Sequence, residues 1–388
     1  MKKSLLALVI TICLVTAVMA APTTASANVQ TGKVLDLLQD FVTNCPSRVS
    51  GTSDMQAVAA YVEDKFIQFG VDNVELQAIG GLQGDCNVIA TINAPSATQT
   101  VVIGAHYDTT NVEGANDNAC GVVALFMLAD HLSQHKNQLA FNVQLVAFSG
   151  EEKGLLGSKH FVNSLTQSQR DSIALMINFD VIASGDNLYV LCENKQTPLL
   201  TTLVDLGSNT PSKIYAKPFG KGVYALLDQW GYGYWEVAQN TDHTPFRLAG
   251  IPTAVYFSGS YKGHFYGYVE SNDTSKWTMN SANDTLQNLL DNVPNFQDNI
   301  NSVVQSVATL LTNSSYNNVV STARDHLTSN VLTSRLYAKL VAVVIVVLAI
   351  VGVILHGKKL KKQSLLGVAQ VKESKVFTTP DVNDIFKF

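Results

Sequence analysis

Four apolar runs constrain this chain more than any other feature. Val101–Ala105, Phe141–Phe148, Ile173–Phe179 and Thr253–Phe257 read as strands,. Helical periodicity fills intervals between them, from about Ala119 to Leu132 and from about Leu156 to Leu165,. Strands alternating with helices specify an α/β fold with a largely parallel, buried core sheet. Two helices open the domain, the first through Val34, Leu37, Leu38 and Phe41, the second through Val58, Val62, Phe66 and Phe69 after Thr52-Ser53-Asp54,. Val74–Ile79, Cys86–Ile92 and Leu188–Cys192 are further strands, and a long helix is expected to start near Asp284. At 46% hydrophobic and 15% charged residues the composition excludes disorder,. A net charge of −5 leaves no basic face for phosphates, so no nucleic acid partner is expected,.

The two ends differ from the middle. Residues 1–27 resemble a signal peptide: Lys2 and Lys3, an apolar run from Leu5 to Val18, then two acceptable small-residue sites, Val18-Met19-Ala20 and Ala25-Ser26-Ala27, of which the second is favoured,. Leu340–Leu355 carries no charge; its 16 residues span ~24 Å as a helix,. With Leu336–Lys339 added, 336–356 is long enough for a transmembrane helix. Lys358, Lys359, Lys361 and Lys362 follow it, which puts the 357–388 tail in the cytoplasm,. The expected order is signal peptide 1–27, main domain 28–312, polar stalk 313–335, membrane helix 336–356 and tail 357–388. The protein is then single-pass, on the cell membrane, with its domain extracellular. Past the leader four cysteines remain, Cys45, Cys86, Cys120 and Cys192; a Cys45–Cys86 bridge is conceivable, and buried thiols serve equally well,.

Acidic and imidazole groups gather where the strands stop. His106-Tyr107-Asp108 follows Val101–Ala105, and alternation points His106 and Asp108 the same way, an imidazole backed by a carboxylate,. Asp117 lies in a glycine-rich turn that feeds a helix. Glu151 and Glu152 follow the strand ending at Phe148, and Asp180 follows Phe179. Ligand sites in open α/β sheets form at that edge. His106, Asp117, Glu151, Glu152 and Asp180 would repel one another unless cations held them. Histidine and carboxylates without cysteine suit one or two Zn²⁺ ions at an open, catalytic centre.

The blocks GAHYDT, GANDNACGV, AFSGEEKGLLGS, INFD, NTDHTPFRLAGIP and NDTLQN, with SRVSGT and NVIATI ahead of them, resemble in order those of the co-catalytic dizinc exopeptidases of metallopeptidase family M28, the aminopeptidase Y and bacterial leucyl aminopeptidase relatives. The resemblance covers about residues 30–310. It implies a phosphorylase/hydrolase-like three-layer α/β/α domain with a mixed, mainly parallel central sheet. It also implies an aminopeptidase that removes N-terminal residues from peptides through metal-activated water. By position, His106 and Asp180 would hold one zinc, Asp117 would bridge, and Glu152 would hold the second. Glu151 would be the general base and Asp108 the partner of His106. Asp242 and His243 fall in a block that lines the substrate cleft.

One ligand departs from that pattern. The family places a histidine four residues before the Asp-Thr of its last block; here Asp284-Thr285 is preceded by Asn280, with Met279 where a tyrosine is common. An amide oxygen is a weak zinc ligand beside imidazole. One tight zinc and a second, weak one are therefore expected, with Asn280 or His264 completing the second position. A catalytically impaired pseudo-peptidase serving as a binding ectodomain is the alternative. A glutaminyl-cyclase-like acyl transferase fits less well, because that branch relies on the damaged Asp-Glu-His trio.

Overall fold

A computed structural model describes residues 33–192, 197–217, 240–262 and 267–327, with most of 351–358. In chain order its elements are α1 (Val34–Asn44), α2 (Asp54–Gln68), β1 (Asn73–Ala78), β2 (Cys86–Ile92), β3 (Thr100–His106), α3 (Cys120–Gln134) and β4 (Asn142–Phe148). Next come α4 (Leu156–Ser164), α5 (Gln167–Ser172), β5 (Ile173–Phe179), β6 (Asn187–Cys192), α6 (Pro198–Gly207) and β7 (Ile214–Ala216). The last are α7 (His243–Leu248), β8 (Thr253–Lys262), β9 (Gly267–Val269), α8 (Leu286–Asn292), α9 (Phe296–Thr312) and α10 (Asn317–Ser321).

The sheet runs β1-β2-β4-β3-β5-β8-β6-β7, with β9 on β8. Its centre, β4-β3-β5-β8, is parallel. Antiparallel pairing of β2 to β4 and of β6 to β8 flanks that centre, so the sheet is mixed and its parallel character belongs to the middle. Continuous apolar runs are what a strand covered on both faces requires, and all seven residues of β5 are buried,. Along β3 the side chains alternate. Val101, Ile103 and Ala105 join a core with Phe41, Phe66, Phe126 and Val304 from α1, α2, α3 and α9. Val102 faces the opposite way, with Phe148, Phe161, Phe246 and Ile251. Helices thus cover both faces, giving three layers.

Several expectations change. The long helix near Asp284 is two helices. Val293 takes φ −124°, ψ 74° ahead of Pro294, which disfavours helical geometry in the residue before it and cannot donate a backbone hydrogen bond,. The polar stalk does not begin at 313. Val320 and Ala323 are buried in the main core, and Arg324 donates to the carbonyls of Gly250, Arg170 and Ile173. Polar composition hid those two small apolar anchors. No disulfide joins Cys45 to Cys86, and burial pushes the Cys45 thiol up to about 12. Residues 1–32 and most of 328–388 lie outside the described residues, and with them the signal peptide and most of Leu340–Leu355. Among the described residues no helix is long and apolar enough to cross a membrane.

Candidate metal centre

Register brings the first two groups level. β3 and β5 run parallel with Gly104 opposite Asn178, so His106 and Asp180 stand side by side two residues on. On the other side His106 is opposite Phe148, three residues before Glu151. The third group, Asp117, arrives on the tight turn Ala115–Ala119, whose Asp117–Asn118 peptide is cis. Gly114 opens this turn at φ +63°; a Cβ there would lie 2.6 Å from the Asp117 carbonyl oxygen and 2.7 Å from Arg48 Nη2, so only glycine fits,. Asp284 holds the turn from above: its carboxylate accepts from the N–H of Asn116 at 2.7 Å and of Asp117 at 3.0 Å. Arg48 holds it from below. Its buried guanidinium donates to the carbonyls of Tyr107 (2.8 Å), Gly114 (2.9 Å) and Cys45 (3.1 Å).

These supports converge three donors. His106 Nε2 lies 3.2 Å from Asp117 Oδ1 and 3.4 Å from Asp180 Oδ1. All three donor atoms fall within 4.8 Å of one another, and all three residues are buried. Around a tetrahedral zinc with bonds of ~2.0–2.1 Å, adjacent donors stand ~3.3–3.4 Å apart. The imidazole tautomer also suits a metal. His106 Nδ1 donates to the Asp108 carbonyl at 3.1 Å, which keeps a proton there and makes Nε2 the nitrogen that a metal would take in place of its proton,. The donor set and its spacing therefore fit a zinc ion.

Asp108 stands beside His106 and does a second job as well. Its carboxylate stands 3.8 Å from His106 Nδ1, beyond hydrogen-bond reach,. It accepts instead from the backbone N–H of Glu151 at 3.1 Å and of Glu152 at 3.2 Å. Asp108 thus serves His106 through its backbone and the two glutamates through its side chain.

The acids repel. Burial opposes charge on Glu151, and Asp180, Asp242 and Asp117 reinforce it, so its carboxyl sits well above the usual glutamate value. Burial, then Asp117, raises Glu152 to about 8. Burial also raises Asp117, and with help from Asp117 it brings Asp284 to about 7. Burial pulls His106 down, but the Asp117 and Asp180 carboxylates outweigh it and leave the imidazole well above its ordinary value. Without a cation this pocket holds protons; a bound cation would displace them.

The remaining predicted residues lie nearby or out of view. Glu152 is partly exposed and is not one of the three convergent donors. Asn280 is exposed, at φ +53°, and its Oδ1 accepts from the Thr110 hydroxyl at 2.7 Å. Met279 packs on an apolar group formed by Val181, Tyr189, Val255 and Phe257. Asp242 is fully buried, and burial raises it to about 7. Burial lowers His243 beside it to about 3. His264 lies outside the described residues. Sequence reasoning missed Arg48 and Asp284 as supports of the Asp117 turn, because nothing local marks a residue that acts across 66 or 167 positions.

Residues 87–303, more than half of the chain, match peptidase family M28. Leupeptin-inactivating enzyme 1 of Streptomyces exfoliatus is 29% identical over 249 residues, 63% of this chain and 52% of that protein. The chain spans about half the length of that relative and about a third of the next two curated relatives. BSAP, a zinc aminopeptidase from Bacillus subtilis, superposes with a TM-score of 0.56 at 12% identity, covering 73% of this chain and 95% of that one. A glutaminyl cyclase from Bacteroides thetaiotaomicron superposes at 0.53 with 19% identity, covering 74% and 99%. At such identities the superpositions establish the shared fold. The match across 87–303, on the fold and metal-donor cluster described above, establishes that this chain belongs to peptidase family M28.

Proposed function

We propose that the chain is a zinc-dependent aminopeptidase, carried on the outer face of a membrane by its C-terminal segment, that removes N-terminal residues from peptides. The observation that carries the catalytic reading is the buried trio His106, Asp117 and Asp180, spaced as zinc donors are. His106, Asp117 and Asp180 would hold the tight ion. Glu152, a share of Asp117 and at best the amide of Asn280 would hold a second one weakly. When bound, zinc polarises the scissile carbonyl and acidifies the attacking water. The protein supplies the proton handling. Glu151 is a carboxyl kept unusually basic by burial and by its acidic neighbours, a candidate to accept the water's proton and return it to the leaving amine,. Asp108, bonded to the Glu151 and Glu152 N–H groups, sets where both glutamates begin. Preference for the free N-terminus is supported by the relatives, one of them titled a zinc aminopeptidase.

The catalytic reading is tested by hydrolysis of unblocked and N-acetylated aminoacyl substrates before and after chelation. Zinc-dependent cleavage of the unblocked set alone is expected. A folded, zinc-loaded protein that cleaves neither set would be the binding ectodomain instead. The membrane reading rests on the leader-like 1–27, the uncharged Leu340–Leu355 and the lysines after it. Deleting 336–388 should release the protein into the medium, and a truncated protein that stays membrane-bound would refute the anchor.

A further inference from the structure

Glu270 follows β9, is nine-tenths buried, and lies outside every role assigned above. Its carboxylate accepts from the Thr278 N–H at 2.6 Å, from the Met279 N–H at 3.1 and 3.2 Å, and from the Thr278 hydroxyl. A carboxylate only accepts, and a hydroxyl has one proton to give. Thr278 spends that proton on Glu270, so its oxygen faces Asn116 as an acceptor, taking Asn116 Nδ2–H at 2.9 Å. With its amino end fixed, the Asn116 amide has one orientation left. Oδ1 must face the other way, where it accepts the N–H groups of Ala183 and Ser184, each at 3.0 Å. Asn116 and Thr278 are both fully buried, so no water competes for these bonds,.

The position of this relay matters. Asn116 directly precedes Asp117, and Ala183 lies three residues after Asp180. The Asn116 amide therefore ties together the two turns that carry the carboxylates of the metal centre. We propose that Glu270, acting through Thr278 and Asn116, is a positioning residue that sets the separation of Asp117 and Asp180 and so tunes metal affinity. The proposal rests on the zinc-centre reading above.

The test uses the full-length protein, with Co²⁺ as a visible probe and Zn²⁺ in competition. Thr278→Val keeps the side-chain shape, removes the hydroxyl and leaves Glu270 its backbone partners. It should weaken Co²⁺ binding about 10–100-fold and shift the cobalt absorption bands, as loss of an outer partner does at other metal sites. Thr278→Ser restores the hydroxyl and should return affinity to within about threefold of wild type. Glu270→Gln turns one acceptor into a donor facing the Met279 N–H and should weaken binding as Thr278→Val does. Wild-type affinity and spectrum in Thr278→Val, or equal losses in Thr278→Val and Thr278→Ser, would overturn the relay while leaving the metal centre in place. A wild-type protein whose Co²⁺ binding is unchanged by His106→Ala would overturn the zinc-centre reading, and the relay with it.

Discussion

Replacing Asp108 with asparagine separates two jobs that one residue performs. The backbone carbonyl holds His106 Nδ1, and asparagine supplies the same carbonyl. The carboxylate takes two N–H groups, from Glu151 at 3.1 Å and Glu152 at 3.2 Å. An asparagine side chain offers one oxygen and one amino group, so one of the two N–H donors would face another donor. Losing one charge-assisted bond at a buried site costs about 1.5–3 kcal/mol. Part of that is offset, since burial already opposes the Asp108 charge and a neutral amide carries no such penalty. A net loss of about 1–2 kcal/mol in chemical unfolding is expected. The larger effect falls on turnover. The freed Glu151–Glu152 segment shifts, and a displacement of order 1 Å at a reacting group costs about 10²-fold. Zinc affinity should stay within about threefold of wild type, because the tautomer of His106 is untouched. Steady-state kinetics at saturating zinc and a competition titration on the same preparation measure both. An affinity loss of 10-fold or more with turnover preserved would refute the division of labour and make the carboxylate the partner of His106.

Zinc titration should show about one tight equivalent and one weak one, since among the described residues Glu152 has no convergent partner set; Asn280→His should tighten the second,. Two equally tight ions in the wild type would contradict the assignment, because an amide oxygen is a weak zinc ligand beside imidazole. Affinity should rise with pH. Protons on Asp117, His106 and Glu152, the last held up to about 8, compete with zinc and leave as pH increases,. Stability of the metal-free protein should move the opposite way. Raised acids favour the folded state at low pH, and that contribution is lost as pH rises through about 7 for Asp242 and Asp284 and about 8 for Glu152,. His243 and His131, lowered by burial to about 3 and 4, stabilise above 6.5 and work against folding below it. Calorimetry between about pH 6.5 and 8 should therefore show the metal-free melting temperature falling and zinc restoring it; a rise without metal would contradict the charge pattern.

How much of this was legible in the sequence depended on whether the signal was local. The strands were, because a run such as Ile173–Phe179 has one stable place, the middle of a sheet covered on both faces. His106 and Asp180 were legible for the same reason, since strand ends on parallel neighbours fall at one edge. Alternation put the Asp108 carboxylate beside His106, 3.8 Å from Nδ1, but its bonds to the Glu151 and Glu152 N–H groups carried no local mark. The helix break at Val293 is marked in the sequence by Pro294,. Glu270 and Thr278 carried no local mark, and the SRVSGT and NDTLQN blocks marked Arg48 and Asp284 without marking what they hold. Each is polar in a polar-looking loop, and its burial comes from contacts far along the chain, such as Thr278 to Asn116 over 162 residues.

The central claim, that Glu151 handles the proton beside a metal held by His106, Asp117 and Asp180, is tested most directly by one paired measurement. Wild-type protein and Glu151→Gln are assayed on the same unblocked aminoacyl substrate, with zinc content determined on both samples. The account predicts a loss of turnover of ~10²–10⁴-fold with zinc content unchanged. Near-full activity in Glu151→Gln, or loss of its zinc, would contradict it.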